Sequence, residues 1–418
     1  MSDRQTFVFF PEGAYGPTNN CVGIAQVLLT RGARVVFVVE ESFAGTLEAQ
    51  GFEERLVRLG PPPAEPEVPG QFWKDFIRDT APEFRKPTIE QLERFILPVW
   101  QELVDGARYV DDRLREIFDE LQPDVIVEDN VVGFAAVVAS GRPWVRIVSC
   151  NPLELKDPAL PPTFSGYTAP DADFEARYRE LHAPLQREFS DFFVERGAPP
   201  LPGIEFIHES PFLNLYVYPA EADYERSRPL DPWERLDSCV REAGAAYELP
   251  SDERKTIYLS LGSLGSADVS LMQKLIDTLA ERDDRVIVSM GPQHEELRLA
   301  DNMIGEEFLP QPAIVPQVDL VITHGGNNTV TESLHFAKPM VVLPLFWDQH
   351  DNAQRMHELG LGRRLDTYGH EPGELTRAVD ALLAHAALKQ RLAQISQRLQ
   401  SRPGTVKAAD LIERVTSG

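Results

Sequence analysis

Cysteine, histidine and positive charge are all scarce in this chain, and each shortage removes a class of function. Three cysteines, Cys21, Cys150 and Cys239, in 418 residues are too few and too scattered for a disulfide framework or a zinc site. They point to reduced thiols and a cytoplasmic protein. No histidine precedes His182, so the N-terminal part lacks the commonest general base at neutral pH. Lys and Arg number 41 against 66 Asp and Glu, a formal net charge of -25. Such a field repels nucleic-acid phosphates and anionic lipid surfaces. A nucleic-acid partner is thereby excluded, while a local pocket can still hold one diphosphate. No run approaches the ~20 apolar residues of a membrane span. The apolar stretch at residues 7–10 stops at Pro11, too short for a secretory signal.

What is present is the balance of a globular protein, 43% hydrophobic and 26% charged, in a chain long enough for two domains. Predominantly apolar runs at residues 6–10, 35–39, 124–128 and 144–148 alternate with helical stretches, and a second series follows at 256–260, 285–289, 320–323 and 340–343. Continuous rather than alternating strands separated by helices indicate parallel sheets covered on both faces. The expected architecture is α/β, two Rossmann-like doubly wound domains facing a cleft, with ligands at the carboxyl ends of the strands. The first helix is expected to be capped by Asn19 or Asn20 and to end near Gly32. Residues 1–225 form the first domain, the acidic and aperiodic stretch 226–250 a linker, and residues 251–418 the second domain. Residues 60–100 and 151–203, rich in proline and aromatics, read as irregular insertions at one edge, where ligand contacts concentrate. Phe72, Trp73 and Phe76 are the candidate contacts to an apolar ligand there, although packing within the insertions is the plainer role for most of these aromatics.

The most informative segment runs from Phe308 to Gln349, FLPQPAIVPQVDLVITHGGNNTVTESLHFAKPMVVLPLFWDQ. Its centre, residues 323–329, sits where a strand ends and a helix begins. Consecutive glycines let backbone approach a ligand, and free amides at a helix N-terminus bind anions. His324, Asn328 and Thr329 add side-chain donors, so a diphosphate fits there without a cluster of lysines. Glu332, one turn on, can accept hydrogen bonds from ribose hydroxyls, and Asp348 beside Gln349 suits the hydroxyls of a hexose. Each element alone has an ordinary structural explanation; their order and spacing is the specific signal.

That order resembles the donor signature of the UDP-glycosyltransferase family, which includes plant secondary-product and bacterial macrolide and polyketide enzymes. The resemblance covers the C-terminal domain closely and the N-terminal domain through its layout. It implies a GT-B fold whose last helix, after about Pro403, crosses back to the first domain. It also implies an inverting transfer of a hexose, glucose above all, from a UDP-sugar to a small, largely apolar acceptor. The nucleotide sugar would be a co-substrate, with no cofactor and no metal. Carried over residue by residue, Phe308 would stack on the base, and Gln311 would contact it through its backbone. His324, Asn328 and Thr329 would hold the diphosphate, Glu332 the ribose, and Asp348 with Gln349 the sugar, with Gly326 and Asn327 also among the donor-binding residues. Ser263, in the turn after the first strand of the second domain, would be a further donor contact. Three positions depart from the family pattern: Phe308 for Trp, Asn327 for Trp, Ser or Thr, and Lys338 for Gly.

A fourth departure is chemical. The family places its catalytic His after a Gly in the loop following the first strand, and here Gly16 is followed by Pro17. The family's Asp partner is matched by Asp129. Several readings stay open on the sequence. Asp129 or Glu12 serves as base, or an acidic acceptor such as a phenol needs little help. The chain is alternatively a donor-binding module without catalysis, or a nucleotide-sugar epimerase on a similar scaffold. Nothing in the sequence speaks to oligomeric state.

Overall fold

The structure, a computed structural model, describes residues 4–62, 71–244, 246–250 and 252–416, with side chains in the helix Gln71–Phe84 from Phe76 onward. Seven strands form the first sheet: β1 Thr6–Pro11, β2 Arg34–Glu40, β3 Glu53–Val57, β4 Val125–Asp129, β5 Trp144–Val148, β6 Leu213–Tyr216 and β7 Trp233–Arg235. Six form the second: β8 Thr256–Ser260, β9 Arg285–Ser289, β10 Met303–Glu306, β11 Leu320–Thr323, β12 Met340–Val342 and β13 Gly362–Arg364. The orders are β3-β2-β1-β4-β5-β6-β7 and β10-β9-β8-β11-β12-β13, and every pairing is parallel.

The apolar runs read continuously because both faces of each sheet are covered. In β1, Phe7 and Phe9 pack with Cys21, Ile24 and Leu28 of the helix Tyr15–Thr30. Val8 and Phe10 point the other way, into the core that includes Val104 and Leu114 of the helix Leu97–Leu121. Strand order reverses between β1 and β4 and again between β8 and β11, which places ligand sites at those carboxyl ends. Glu12 follows β1, Asp129 ends β4, Gly262 follows β8 and His324 follows β11.

Several elements differ from the sequence reading. The first helix begins at Tyr15 with Ala14 at its N-cap, so Asn19 and Asn20 lie inside it and cap nothing. Asn20 is buried, and neither of its amide atoms has a protein partner. The two stretches read as irregular are largely helical: Gln71–Phe84, Thr88–Gln91, a π turn Leu92–Ile96, Leu97–Leu121 and Ala172–Glu195. Phe174, Tyr178, His182, Leu185, Phe189 and Phe193 are buried at helical spacing along the last of these, but Pro82 and Pro184, inside two of the helices, read locally as breaks. Within the stretch read as linker, β7 adds a seventh strand beside β6.

The two halves are bonded to one another directly. Asp351 accepts the backbone N–H groups of Phe164 and Gly166 at 2.6 and 2.8 Å. Arg398 pairs with Glu221 and with Asp237. The final helix, Gly404–Val415, lies on the helix Tyr15–Thr30: Ala408, Ala409 and Ile412 join the core of Val22 and Leu28. Arg31, just past the first helix, meets Asp410 and Glu413 at 2.7 and 2.6 Å. Among the described residues no helix is long and apolar enough to cross a membrane.

Candidate active site

A cavity of about 710 Å³ opens between the halves. The second half contributes Gly262, Ser263, Phe308, Gln311, His324, Gly326, Asn327, Asn328, Thr329, Phe346, Trp347, Asp348 and Gln349. The first half contributes Glu12, Tyr15, Pro17, Phe76, Phe95, Val99, Glu102, Leu103 and Ser149. A smaller cavity of about 160 Å³ lies against the first sheet, lined by Phe10, Glu12, Gly13, Glu40, Leu59, Leu103 and Val131 among others. Glu12 and Leu103 border both cavities.

His324 leaves the end of β11 and is gripped by glycines. A side chain on Gly262 would meet the imidazole at 2.8 Å, and one on Gly326 would meet its Nε2 at 2.6 Å. Gly262 also has a φ of +68°, in the region that favours glycine. Burial lowers the pKa of His324 to about 4, against a hydrogen bond to the Ser260 backbone that favours the charged form. At neutral pH the ring is therefore uncharged and has one N–H, which either the Ser260 carbonyl or a ligand can take. The helix Asn327–His335 starts immediately after, with Gly326 at its N-cap and no capping side chain. Its first-turn amides are thus able to bind an anion.

The other donor candidates divide. Ser263, Asn328 and Thr329 line the cavity, while Asn328 Nδ2 also donates to Glu332 Oε1 at 3.3 Å. Gln311 lines it too, and its Nε2 donates to Glu332 Oε2 at 2.6 Å. Glu332 itself is 1% exposed and does not border the cavity. Its carboxylate is held by Gln311, Asn328 and Arg241, the last at 3.1 Å. Asn327 spends its amide between the halves, donating to the carbonyls of Ser149 and Val217 at 2.7 and 3.0 Å. It still borders the cavity, and the departure from the family residue at this position ties the halves together. Gln349 Oε1 accepts from the backbone of Leu345 and Phe346, bending the loop that presents Phe346 and Trp347.

Asp348 accepts the Asn151 backbone N–H at 2.8 Å on Oδ2, and burial raises its pKa to about 6. Of the two candidate bases, Asp129 borders neither cavity. It is 3% exposed, with Oδ1 accepting from Ser149 Oγ at 2.9 Å and Oδ2 unpartnered. Burial pushes its pKa up to about 7, with the Glu12 charge adding to the rise. Glu12 does border the cavities, and burial, then Asp348 and Glu40, raise its pKa to about 7. Glu40 packs against Gly13, within 1.7 Å of where a side chain there would begin, so glycine lets these acids approach.

Phe76 lines the cavity; the side chains of Phe72 and Trp73 lie outside the described residues. The apolar wall is completed by Phe346, 5.1 Å from Phe95 between ring centroids, and by Trp347, 5.6 Å from Trp100. Sequence reasoning missed Arg241 and Tyr15 altogether. Arg241 sits in a segment without a motif, and Tyr15 immediately precedes the Gly16-Pro17 position without itself matching a motif residue, so only the fold carries them to the cavity.

Residues 239–411 match the family model described as UDP-glucoronosyl and UDP-glucosyl transferase. A zeaxanthin glucosyltransferase of Pantoea ananas is 26% identical, covering 94% of this chain and 91% of that protein. The oleandomycin glycosyltransferase of Streptomyces antibioticus is also 26% identical, over 97% of this chain and 89% of its own length. Among solved structures, the glycotransferase of kitacinnamycin superposes with a TM-score of 0.71 at 22% identity, covering 99% of both chains. The calicheamicin glycosyltransferase CalG4 gives 0.69 at 19% identity, again over 99% of both. These likenesses carry the GT-B fold, and residues of the segment Phe308 to Gln349 line the cavity between the two halves. The family match is thus confined to residues 239–411, and the protein is a glycosyltransferase.

Proposed function

We propose that the protein transfers a hexose, glucose first among candidates, from a UDP-sugar to a hydroxyl of a small apolar natural-product acceptor, with inversion and with Glu12 as general base. The observation that carries this reading is the position of Glu12, at the junction of the large cavity and the smaller apolar one. A base must touch both the acceptor hydroxyl and the space beside the donor's anomeric carbon, and Glu12 is an acid on that boundary. Its carboxylate accepts no protein hydrogen bond among the described residues, and its pKa of about 7 suits proton abstraction near neutrality.

In this scheme the diphosphate lies on the N-terminus of the helix Asn327–His335, with neutral His324, Asn328 and Thr329 as donors. Phe308 stacks on the base, and Asp348 with Gln349 faces the sugar. The acceptor rests on Phe76, Phe95, Phe346 and Trp347. Glu12 takes the hydroxyl proton as the oxygen attacks the anomeric carbon, and the C–O bond to the diphosphate breaks on the opposite side. The leaving group's charge is met by helix amides, so no metal is assigned a role. The relatives named for zeaxanthin and oleandomycin support an apolar acceptor.

A screen of UDP- and TDP-sugars against phenols, macrolides, carotenoid alcohols and simple aliphatic alcohols, read by mass spectrometry with and without a chelator, tests the proposal. Transfer from a UDP-hexose that survives chelation supports it. Conversion of the donor without any acceptor would favour an epimerase, and tight UDP binding with no transfer would favour a module without catalysis.

A further inference from the structure

Two large aromatic rings stand exposed at the cavity, one from each half of the protein. Tyr15 opens the helix Tyr15–Thr30 and is 52% exposed. Phe308 follows β10 and is 53% exposed. Both line the large cavity, and their ring centroids are 6.2 Å apart at an interplanar angle of 42°. Tyr15 is not loose on its own side: its ring lies 5.3 Å from that of Phe43, which is buried.

We infer that Tyr15 is a second ligand of the nucleobase, which enters between Tyr15 and Phe308 and is stacked on both faces. The inference rests on the reading of this cavity as a nucleotide-sugar site with Phe308 at the base. A planar base between two rings needs two van der Waals spacings of roughly 3.5 Å, about 7 Å in all. The observed separation is short of that by about an ångström, and the tilt leaves a wedge that rotation of either ring makes parallel. Both rings are more than half exposed, so they rotate without breaking a packed core. Phe43 supports Tyr15 from the first half while this happens.

The pairing has a chemical consequence. Every base has a π-face, so stacking on two aromatics adds affinity without choosing among bases. Tyr15 therefore strengthens uridine and thymidine nucleotides alike, and discrimination between them falls to groups at the base edge and ribose. It also makes the base a bridge between the two halves, because one ring comes from each. The phenol hydroxyl is not needed for stacking, so phenylalanine at position 15 preserves the effect.

Calorimetric titration of the full chain with UDP, TDP and inorganic pyrophosphate tests this, using the unaltered protein, Tyr15→Ala and Tyr15→Phe. Tyr15→Ala is expected to weaken UDP and TDP by a similar factor, roughly 5- to 100-fold. Tyr15→Phe should bind both nearly as the unaltered protein does. Pyrophosphate, which has no base, should bind all three proteins equally. Unchanged UDP affinity in Tyr15→Ala overturns the inference. So does an equal loss for pyrophosphate, which would make Tyr15 a support for the phosphate site. Failure of the unaltered protein to bind either nucleotide would instead overturn the donor-site reading and this inference with it.

Discussion

The backbone N–H of Glu12 donates to the carbonyl oxygen of Asp129 at 2.9 Å. The hydrogen bond extends the pairing of β1 with β4 by one residue and sets two acids side by side. Only Glu12 reaches the cavities; Asp129 stays beneath, with Ser149. Burial, with the Asp129 charge adding to it, raises the pKa of Cys21 on the first helix, which puts Asp129 against that helix rather than at the cavities.

Glu12→Gln keeps the shape and removes the proton acceptor. Turnover on an aliphatic alcohol should fall by roughly 10²–10⁴-fold with UDP affinity nearly unchanged. Because the Glu12 carboxyl sits near pH 7 and must be ionised to act, kcat/KM of the unaltered enzyme should rise with pH and level off above about 7. The variant should lack that limb. Full activity in Glu12→Gln would remove Glu12 from the mechanism, and a comparable loss in Asp129→Asn alone would restore Asp129 as the base. Pro17→His is a complementary test, since Pro17 lines the cavity where the family keeps its base. Improved turnover on weakly acidic alcohols is the expected gain.

His324→Ala removes a donor to a partly desolvated phosphate and should weaken UDP binding by roughly tenfold to a hundredfold. Gly326→Ala should do nearly as much, since its new methyl would meet Nε2 of His324 at 2.6 Å. The imidazole titrates near 4, so its contribution should stay constant between pH 8 and pH 5.5. A rise in affinity around pH 6.5 that disappears in His324→Ala would show a charged ring and contradict this assignment.

Asn327→Ala leaves the carbonyls of Ser149 and Val217 without their donor at a buried boundary between the halves. Each unsatisfied group costs about 1–3 kcal/mol. The melting temperature should drop by several degrees, and bound UDP should recover part of the loss. An unchanged melt would mean the halves are held without this residue.

Glu128 supplies a stability test away from the chemistry. It is 0% exposed, neither carboxylate oxygen has a partner, and burial lifts its pKa from 4.5 to about 8 despite Arg146 nearby. A carboxyl raised in the folded state contributes stability that is full below about 4.5 and lost as pH climbs to about 8. Glu128→Gln does not titrate. Relative to the unaltered protein it should therefore gain stability between pH 5 and pH 8, by an amount on the order of a few kcal/mol. Urea unfolding at both pH values reads this directly, and a difference that stays flat with pH would refute it.

Much of the architecture was legible without coordinates, because it is written in segments of five to fifteen residues. Runs such as those in β1, β2, β8 and β11 are apolar without interruption, which only a doubly covered parallel sheet accommodates. The turn from Thr323 into the helix at Asn327 was legible for the same reason: glycines, a strand before and a helix after are local facts. The helices Gln71–Phe84 and Ala172–Glu195 were not, since each carries a proline in its interior, Pro82 and Pro184, which a local reading takes as a break. Nor could the sequence decide which acid meets the cavity, because side-chain direction at the end of a strand depends on what packs above it. Glu332 shows the same limit. Its spacing from His324 is a sequence property, but its capture by Arg241, 91 residues away in the chain, exists only once the segment after β7 has folded against the second sheet. Local patterning determined the sheets and the donor turn; long-range packing decided which side chains remain free to act.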